Sequence, residues 1–235
     1  MRYAIYFTPE QDDPLCRIAA GWLGRDAFGG AASAAKAFGD LSAAEVAFHT
    51  AAARRYGFHA TLKAPFRLAG DTTQKALTDA VAAFAAANAP FDIPRLKLAQ
   101  IDSFFALVPA EPLPELQTFA GDVVSAFEPF RAPLTDAEIA RRNPEALSPQ
   151  ECRHLSQWGY PYVFDSFRFH MTLTGRVATD EAPRVRAAIE QCLGNELDKP
   201  VPVAGLAIFI EPTAGAPFEA LSYHELGTQA ERKTA

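Results

Sequence analysis

Apolar residues alternate with their neighbours over residues 2–8, with Tyr3, Ile5 and Phe7 on one side and Ala4 and Tyr6 on the other. That period of two predicts a strand. The spacing then lengthens, and residues 14–28 read as a helix. A second helix opens near Ser42, whose separation from Glu45 suits a capping box, and runs towards Arg54. The stretch RYGFHATLKAPF, ending at Phe66, returns to alternation and predicts a strand that stops near Pro65. An Ala-rich helix over residues 71–88 follows, then strand-like runs at 93–101 and 104–108. The order is β-α-β-β.

The order then recurs. Residues 115–130 carry Leu116, Phe119, Val123, Val124 and Phe127 at helical spacing. Residues 131–161 interrupt the pattern with an Arg-, Pro- and Glu-bearing segment that has helical patches and a second capping-box spacing at Ser148 and Glu151. The stretch FDSFRFHMTLTGRV, ending at Val177, reads as a strand; a helix over about 179–193 and two strand-like runs, 201–210 and 218–226, follow it. The expected fold class is α+β: duplicated β-α-β-β units forming two antiparallel sheets around a central cleft. The expectation is one two-lobed domain over residues 1–235 with an insert at about 131–161. From about Thr228 the chain is polar and reads as a frayed end.

The same four-residue pattern sits in both predicted histidine strands. Residues 59–62 are His-Ala-Thr-Leu and residues 170–173 are His-Met-Thr-Leu. Alternation places His59 with Thr61, and His170 with Thr172, on the faces opposite Phe58, Ala60 and Leu62 and opposite Phe167, Phe169, Met171 and Leu173. The polar pair in each strand is therefore spared from core packing, which argues for a paired site. Imidazole titrates near neutral pH, so one ring can take a proton while another gives one. A threonine hydroxyl on the same face can donate to a phosphoryl oxygen. Two such units across a cleft suit phosphodiester chemistry without a metal or other cofactor. Which histidine is base and which is acid stays open at this level.

Other residues are graded by strand parity. Lys63 shares the face of His59 and Thr61, and Arg168 that of His170 and Thr172; each is a candidate to neutralise a phosphate, the alternative being a solvent-exposed cation at a strand end. Tyr56, Tyr6 and Tyr223 are candidates for positioning substrate at the cleft rim. His49, His154 and His224 lack the motif and are assigned surface or structural roles. No His-x-His, His-x-Asp or H-E-x-x-H accompanies the two motifs, so no metal site is expected.

Composition narrows the partners. Lys and Arg number 22 against 28 Asp and Glu, a net charge of −6 in 235 residues, which offers no footprint for a long nucleic acid. Cys16, Cys152 and Cys192 are odd in number and widely spaced, as expected of reduced, buried thiols in a cytoplasm. The opening residues lack a signal-peptide pattern and no run is long and apolar enough for a bilayer, so a soluble, cytoplasmic protein is expected, and its Ala richness suggests a bacterial one. A monomer without membrane partners is the default.

The tandem HATL and HMTL motifs resemble those of the two-histidine phosphoesterase superfamily, which includes 2′,3′-cyclic nucleotide phosphodiesterases and RNA 2′-5′ ligase-like proteins. The wider contexts RYGFHATLKAPF and FRFHMTLTG are similar to a branch of uncharacterised proteins associated with phosphonate-utilisation operons. The resemblance covers essentially the whole chain. It implies a duplicated β-α-β-β fold, a metal-independent cleft, and catalysis by His59 and His170 with Thr61 and Thr172 on the phosphate. It further implies a small cyclic phosphate as substrate, such as a ribose cyclic phosphate from phosphonate breakdown. A 2′,3′-cyclic nucleotide or RNA-end enzyme, or a ligase-like one, is the alternative within the superfamily; a non-catalytic module binding a phosphorylated metabolite is the alternative outside it. The motifs stand farther apart than in compact cyclic phosphodiesterases, and the 131–161 segment accounts for the extra chain.

Overall fold

The two apolar periods resolve into strands and helices in a computed structural model, which describes residues 1–29, 34 and 36–227. The tail from Thr228, expected to fray, lies outside the described residues. Strand β1 (Arg2–Phe7) leads into α1 (Pro14–Leu23). Asp13 caps α1 by accepting from the Leu15 and Cys16 amides, and Gly24 at φ 69° ends it earlier than apolar spacing suggested. In α2 (Ala43–Arg54) the Ser42–Glu45 capping box is present in both directions. Then come β2 (Ala60–Phe66), α3 (Gln74–Ala87), β3 (Phe91–Ile93), β4 (Leu96–Ile101) and β5 (Phe104–Pro109).

The second half begins with α4 (Pro114–Ala126), followed by two helices inside the 131–161 segment, α5 (Asp136–Ala140) and α6 (Pro149–Trp158). The Ser148–Glu151 box caps α6. The strand predicted around His170 is much shorter than its sequence suggested. Phe164–Ser166 is a 3₁₀ turn with Phe164 at φ 52°, and β6 is only Met171–Thr172. Helix α7 (Ala182–Leu193) and strands β7 (Val201–Val203), β8 (Gly205–Glu211) and β9 (Glu219–Glu225) complete the order.

The strands form one seven-stranded sheet in the order β4-β5-β6-β2-β1-β8-β9, and β3 pairs with β7 in a small second sheet. Every pairing is antiparallel. The architecture is the expected antiparallel α+β class, with one refinement. The two halves do not carry separate large sheets; they join at β2 and β6 through Ala60 opposite Met171. The hairpins are also exchanged. The β4–β5 hairpin, which follows His59 in sequence, pairs with the His170 strand, while β8–β9, which follows His170, joins the His59 strand through β1.

One face of this sheet carries the main core. Ile5, Phe7, Leu62, Leu107, Met171, Leu173 and Ile208 pack there against Trp22, Leu77, Val81, Phe119, Val123, Val185 and Ile189 from the helices. On the opposite face Ala4, Tyr6, Ala207, Phe209 and Phe218 make a smaller cluster that Tyr56 and Tyr223 flank. The alternation of residues 3–7 thus divides two packed faces, as its period required.

Candidate active site

His59 and His170 each stand one residue before a strand, β2 and β6 respectively. Ala60 faces Met171 across the antiparallel pair, so continuing that register places His59 beside Thr172 and Thr61 beside His170. Each histidine therefore neighbours the other motif's threonine, about a pseudo-twofold axis between the strands. The rings are held alike. His59 Nδ1 donates to the Gly57 carbonyl at 2.9 Å, and His170 Nδ1 donates to the Arg168 carbonyl at 2.8 Å. A carbonyl can only accept, so Nδ1 carries the proton in both and Nε2 is the nitrogen left for chemistry.

The ring of Tyr6 stacks on His59 with centroids 4.0 Å apart, and Thr61 is its cross-strand partner. The Thr61 hydroxyl lies 3.3 Å from His59 Nε2, which accepts from it in the neutral ring. Burial lowers the His59 pKa to about 4; the bond to Gly57 opposes this, and the nearby charge of His170 adds to it. His59 is thus a neutral ring with a lone pair on Nε2 at neutral pH, and His170 is within electrostatic reach of it.

Gly57 is part of this geometry although no motif marks it. Its φ of +75° belongs to the left-handed region, and a Cβ there would come within 2.5 Å of the Ala27 side chain. The turn it makes brings Tyr56 to the cavity despite the wrong strand parity, 6.0 Å from His59 and stacked on Phe218. Buried Arg25 ties this corner by donating to the carbonyls of Arg54, Arg55 and Phe218.

A cavity of about 470 Å³ opens here, within the size range of small-ligand sites. Its lining includes Tyr6, Tyr56, His59, Thr61, Thr172 and Thr174. His170 is not itself in the lining and stands beside it, 6.1 Å from the Phe104 ring. The buried Thr174 hydroxyl accepts from the Phe105 amide. Four arginines also line the cavity, Arg2, Arg55, Arg141 and Arg142, together with Tyr160. Arg2 and Arg55 both bind Glu211, a carboxylate only 1% exposed. Burial raises its pKa, but hydrogen bonds from Arg2 and the Gly215 amide and the arginine charges outweigh that and hold it at about 2.

Three of the sequence candidates are not brought to this cavity. Lys63 is 3% exposed and donates to the Val124 carbonyl at 3.1 Å and to Glu128 at 2.9 Å. The cause is a bulge. Thr61 pairs with Tyr6 but Lys63 pairs with Ile5, so an extra residue on β2 reverses the alternation between them. Arg168 is exposed and outside the lining, contributing its carbonyl to His170 while its charge acts on Glu151. Tyr223 sits with Glu10, Asp12 and Asp26 at a separate depression, because β9 lies at the sheet edge away from β2. His49, His154 and His224 do not line the cavity. Cys16, Cys152 and Cys192 are free thiols, Cys16 buried. Among the described residues no group of three His, Cys, Asp or Glu side chains is placed to hold a metal ion, and no helix is long and apolar enough to cross a membrane.

The arginines, Gly57 and Tyr160 were not singled out from the sequence. Arg141, Arg142 and Tyr160 belong to the 131–161 segment, whose charge was the one available signal.

The profile of a family described as a protein of unknown function (DUF1045) matches residues 61–219, a span that holds Thr61, His170 and Thr172. Two curated relatives, from Janthinobacterium sp. (strain Marseille) and Laribacter hongkongensis (strain HLHK9), are each named ribose 1,5-bisphosphate phosphokinase PhnN. Both are 35% identical, over 221 and 218 residues, covering 92% and 93% of this chain but 49% and 50% of their own lengths. The chain spans about half the length of the curated relatives it matches. A crystal structure of a phosphoesterase is 13% identical, covers 96% of this chain and 98% of its own, and has a TM-score of 0.40. That last likeness is too loose to carry an argument.

Proposed function

The chain belongs to the DUF1045 family, a two-histidine phosphoesterase-like family, and from that premise we propose that it is a metal-independent phosphodiesterase that opens a small cyclic phosphate. The observation that carries this reading is the mirrored pair: two rings with Nδ1 fixed on the carbonyl two residues back, each beside the other motif's threonine.

The proposed reaction needs no group beyond these. The phosphate seats between the Thr61 and Thr172 hydroxyls, which donate to its non-bridging oxygens. In the free protein Thr61 is engaged with His59 Nε2; a phosphoryl oxygen gives its hydroxyl a better acceptor and releases the ring lone pair. A water oxygen attacks phosphorus while His59 Nε2 takes the water proton. The ring P–O bond breaks on the far side, and His170, entering as the imidazolium with Nδ1–H held on the Arg168 carbonyl, gives its Nε2 proton to the departing alkoxide. His59 is assigned the base because its burial keeps it neutral. The product is a phosphate monoester; His59 then gives its acquired proton to solvent and His170 takes one up from solvent, which restores both rings.

A phosphorylated ribose is the proposed substrate class, specifically a ribose cyclic phosphate. The relatives' name supports it, since they are named for a ribose bisphosphate. The phosphokinase activity in that name is not carried over, because the chain has no G-x-x-x-x-G-K-[ST] loop. The cavity volume of about 470 Å³ suits a small sugar better than a strand of RNA.

Phosphorus NMR tests the proposal with ribose 1,2-cyclic phosphate 5-phosphate, ribose 1,2-cyclic phosphate, a 2′,3′-cyclic nucleotide and a linear diester, all in EDTA. Ring opening by the wild type is expected, and His59→Ala or His170→Ala should each lower the rate about 10²–10⁴-fold with the fold intact. Full activity in either variant, or loss of activity with EDTA, defeats the mechanism. Saturable binding without turnover would assign the cavity to a binding module instead.

A further inference from the structure

The arginines that line the cavity are not equivalent. Arg2 and Arg55 share the buried Glu211, so much of their charge is already met. The one carboxylate that the 131–161 segment presents to the cavity, Glu138, is engaged by Arg67 through two hydrogen bonds, at 3.1 and 3.3 Å, and by the Thr135 amide. Arg141 and Arg142, one helical step further on, have no carboxylate within 4 Å among the described residues. Two neighbouring guanidinium groups without counterions face a cavity in a protein of net charge −6.

Their backbone is fixed. The Arg141 and Arg142 amides donate to the Ala137 and Ile139 carbonyls, and Asn143 at φ 48° turns the chain into Pro144 directly afterwards. The Arg142 guanidinium lies 4.9 Å from the centroid of the Tyr160 ring, which also lines the cavity. The segment itself is joined to the end of β2, where the Ala132 amide donates to the Arg67 carbonyl at 2.8 Å and Arg67 donates to the Pro133 carbonyl at 2.6 Å. A planar guanidinium with its edge free is the side chain best matched to a phosphate's oxygens.

We propose that Arg141 and Arg142 form a second anion subsite, which binds a terminal phosphate of the substrate while the His–Thr pairs act on the cyclic one. This rests on the proposed reading of the histidine site and sharpens it: the preferred substrate carries two phosphoryl groups on one small sugar. The subsite makes no bond-breaking contact. It raises the affinity for the doubly phosphorylated substrate and separates that substrate from a cyclic phosphate with a neutral end.

Two measurements test the subsite separately from the reaction. The first compares kcat/KM for ribose 1,2-cyclic phosphate with and without the 5-phosphate, in the wild type and in Arg141→Gln/Arg142→Gln. The wild type is expected to prefer the 5-phosphate form by at least about 10-fold. The double variant should lose about 10–100-fold on that form, chiefly in KM, and under about threefold on the other. Equal losses on both substrates, or no preference in the wild type, overturn the subsite and leave the phosphodiesterase standing. The second titrates unreactive ribose 5-phosphate calorimetrically into the wild type, the arginine double variant and His59→Ala/His170→Ala. Binding that weakens at least about 10-fold in the arginine variant and holds within about threefold in the histidine variant supports the subsite, even if no cyclic phosphate is turned over. The reverse pattern, or no saturable binding to the wild type, overturns it. Arg141 is exposed and Arg142 half-buried, so neither replacement removes core packing.

Discussion

At the scale of single residues, the unequal settings of the two histidines matter most. His59 is stacked on Tyr6 and partly buried, and burial lowers its pKa from 6.5 to about 4. A base that titrates there stays neutral across the physiological range. The acid limb of kcat/KM, which reports the free enzyme, is therefore expected near pH 4 rather than near 6.5. A bound phosphate's negative charge favours the imidazolium, so the acid limb of kcat should lie higher than that of kcat/KM. A pH–rate profile with both limbs at the ordinary imidazole value contradicts the base assignment. The same shift has a sign for stability. The unfolded chain takes up this proton as pH falls through 6.5, whereas the folded chain resists until about 4. Stability should fall with pH across that window, and His59→Gln should flatten the slope in urea unfolding.

At the scale of elements, β2 shows how a local irregularity redirects chemistry. Lys63 would share a face with Thr61 in a regular strand, but the bulge pairs it with Ile5 and turns it towards the core side. There it meets Glu128, and burial lowers its pKa against the raising effect of that carboxylate. Lys63 is therefore structural. Lys63→Ala is expected to destabilise the protein by about 3 kcal/mol, because it leaves Glu128 with Arg131 alone, while kcat/KM changes by less than about threefold. A large change in kcat/KM without a stability loss would return Lys63 to the substrate site. The helices behave more simply. Ser42–Glu45 and Ser148–Glu151 satisfy their own helix ends, and both boxes were visible as spacings because a cap is a local interaction.

At the scale of the molecule, the exchanged hairpins make each half depend on the other. Strand β6 is two residues long and is held by β5 on one side and β2 on the other, both from the first half of the chain. Strand β1, beside β2, depends equally on β8 from the second half. We therefore expect the chain to unfold in one cooperative transition. Fragments 1–112 and 113–227, made separately, should each lack a cooperative thermal transition by circular dichroism. A fragment that melts sharply alone would show that the halves are independent domains. The exchange also explains the site, since only strands from both halves place one His–Thr pair beside the other.

What the sequence determined by itself was local or periodic. The alternation that separates His59 and Thr61 from Phe58, Ala60 and Leu62, the repeated β-α-β-β order, the tandem motif and the helix caps each depend on residues a few positions apart. The tertiary structure decided what depends on distant partners. It set the β2 bulge that removes Lys63, the pairing of Ala60 with Met171 that brings the two motifs together, and the sheet edge that carries Tyr223 away. Arg2, Arg55 and the Arg141–Arg142 pair lie far apart along the chain and have no shared spacing, yet they line one cavity. No short-range pattern marks such residues, because a cavity is formed by packing between elements rather than by the period within one.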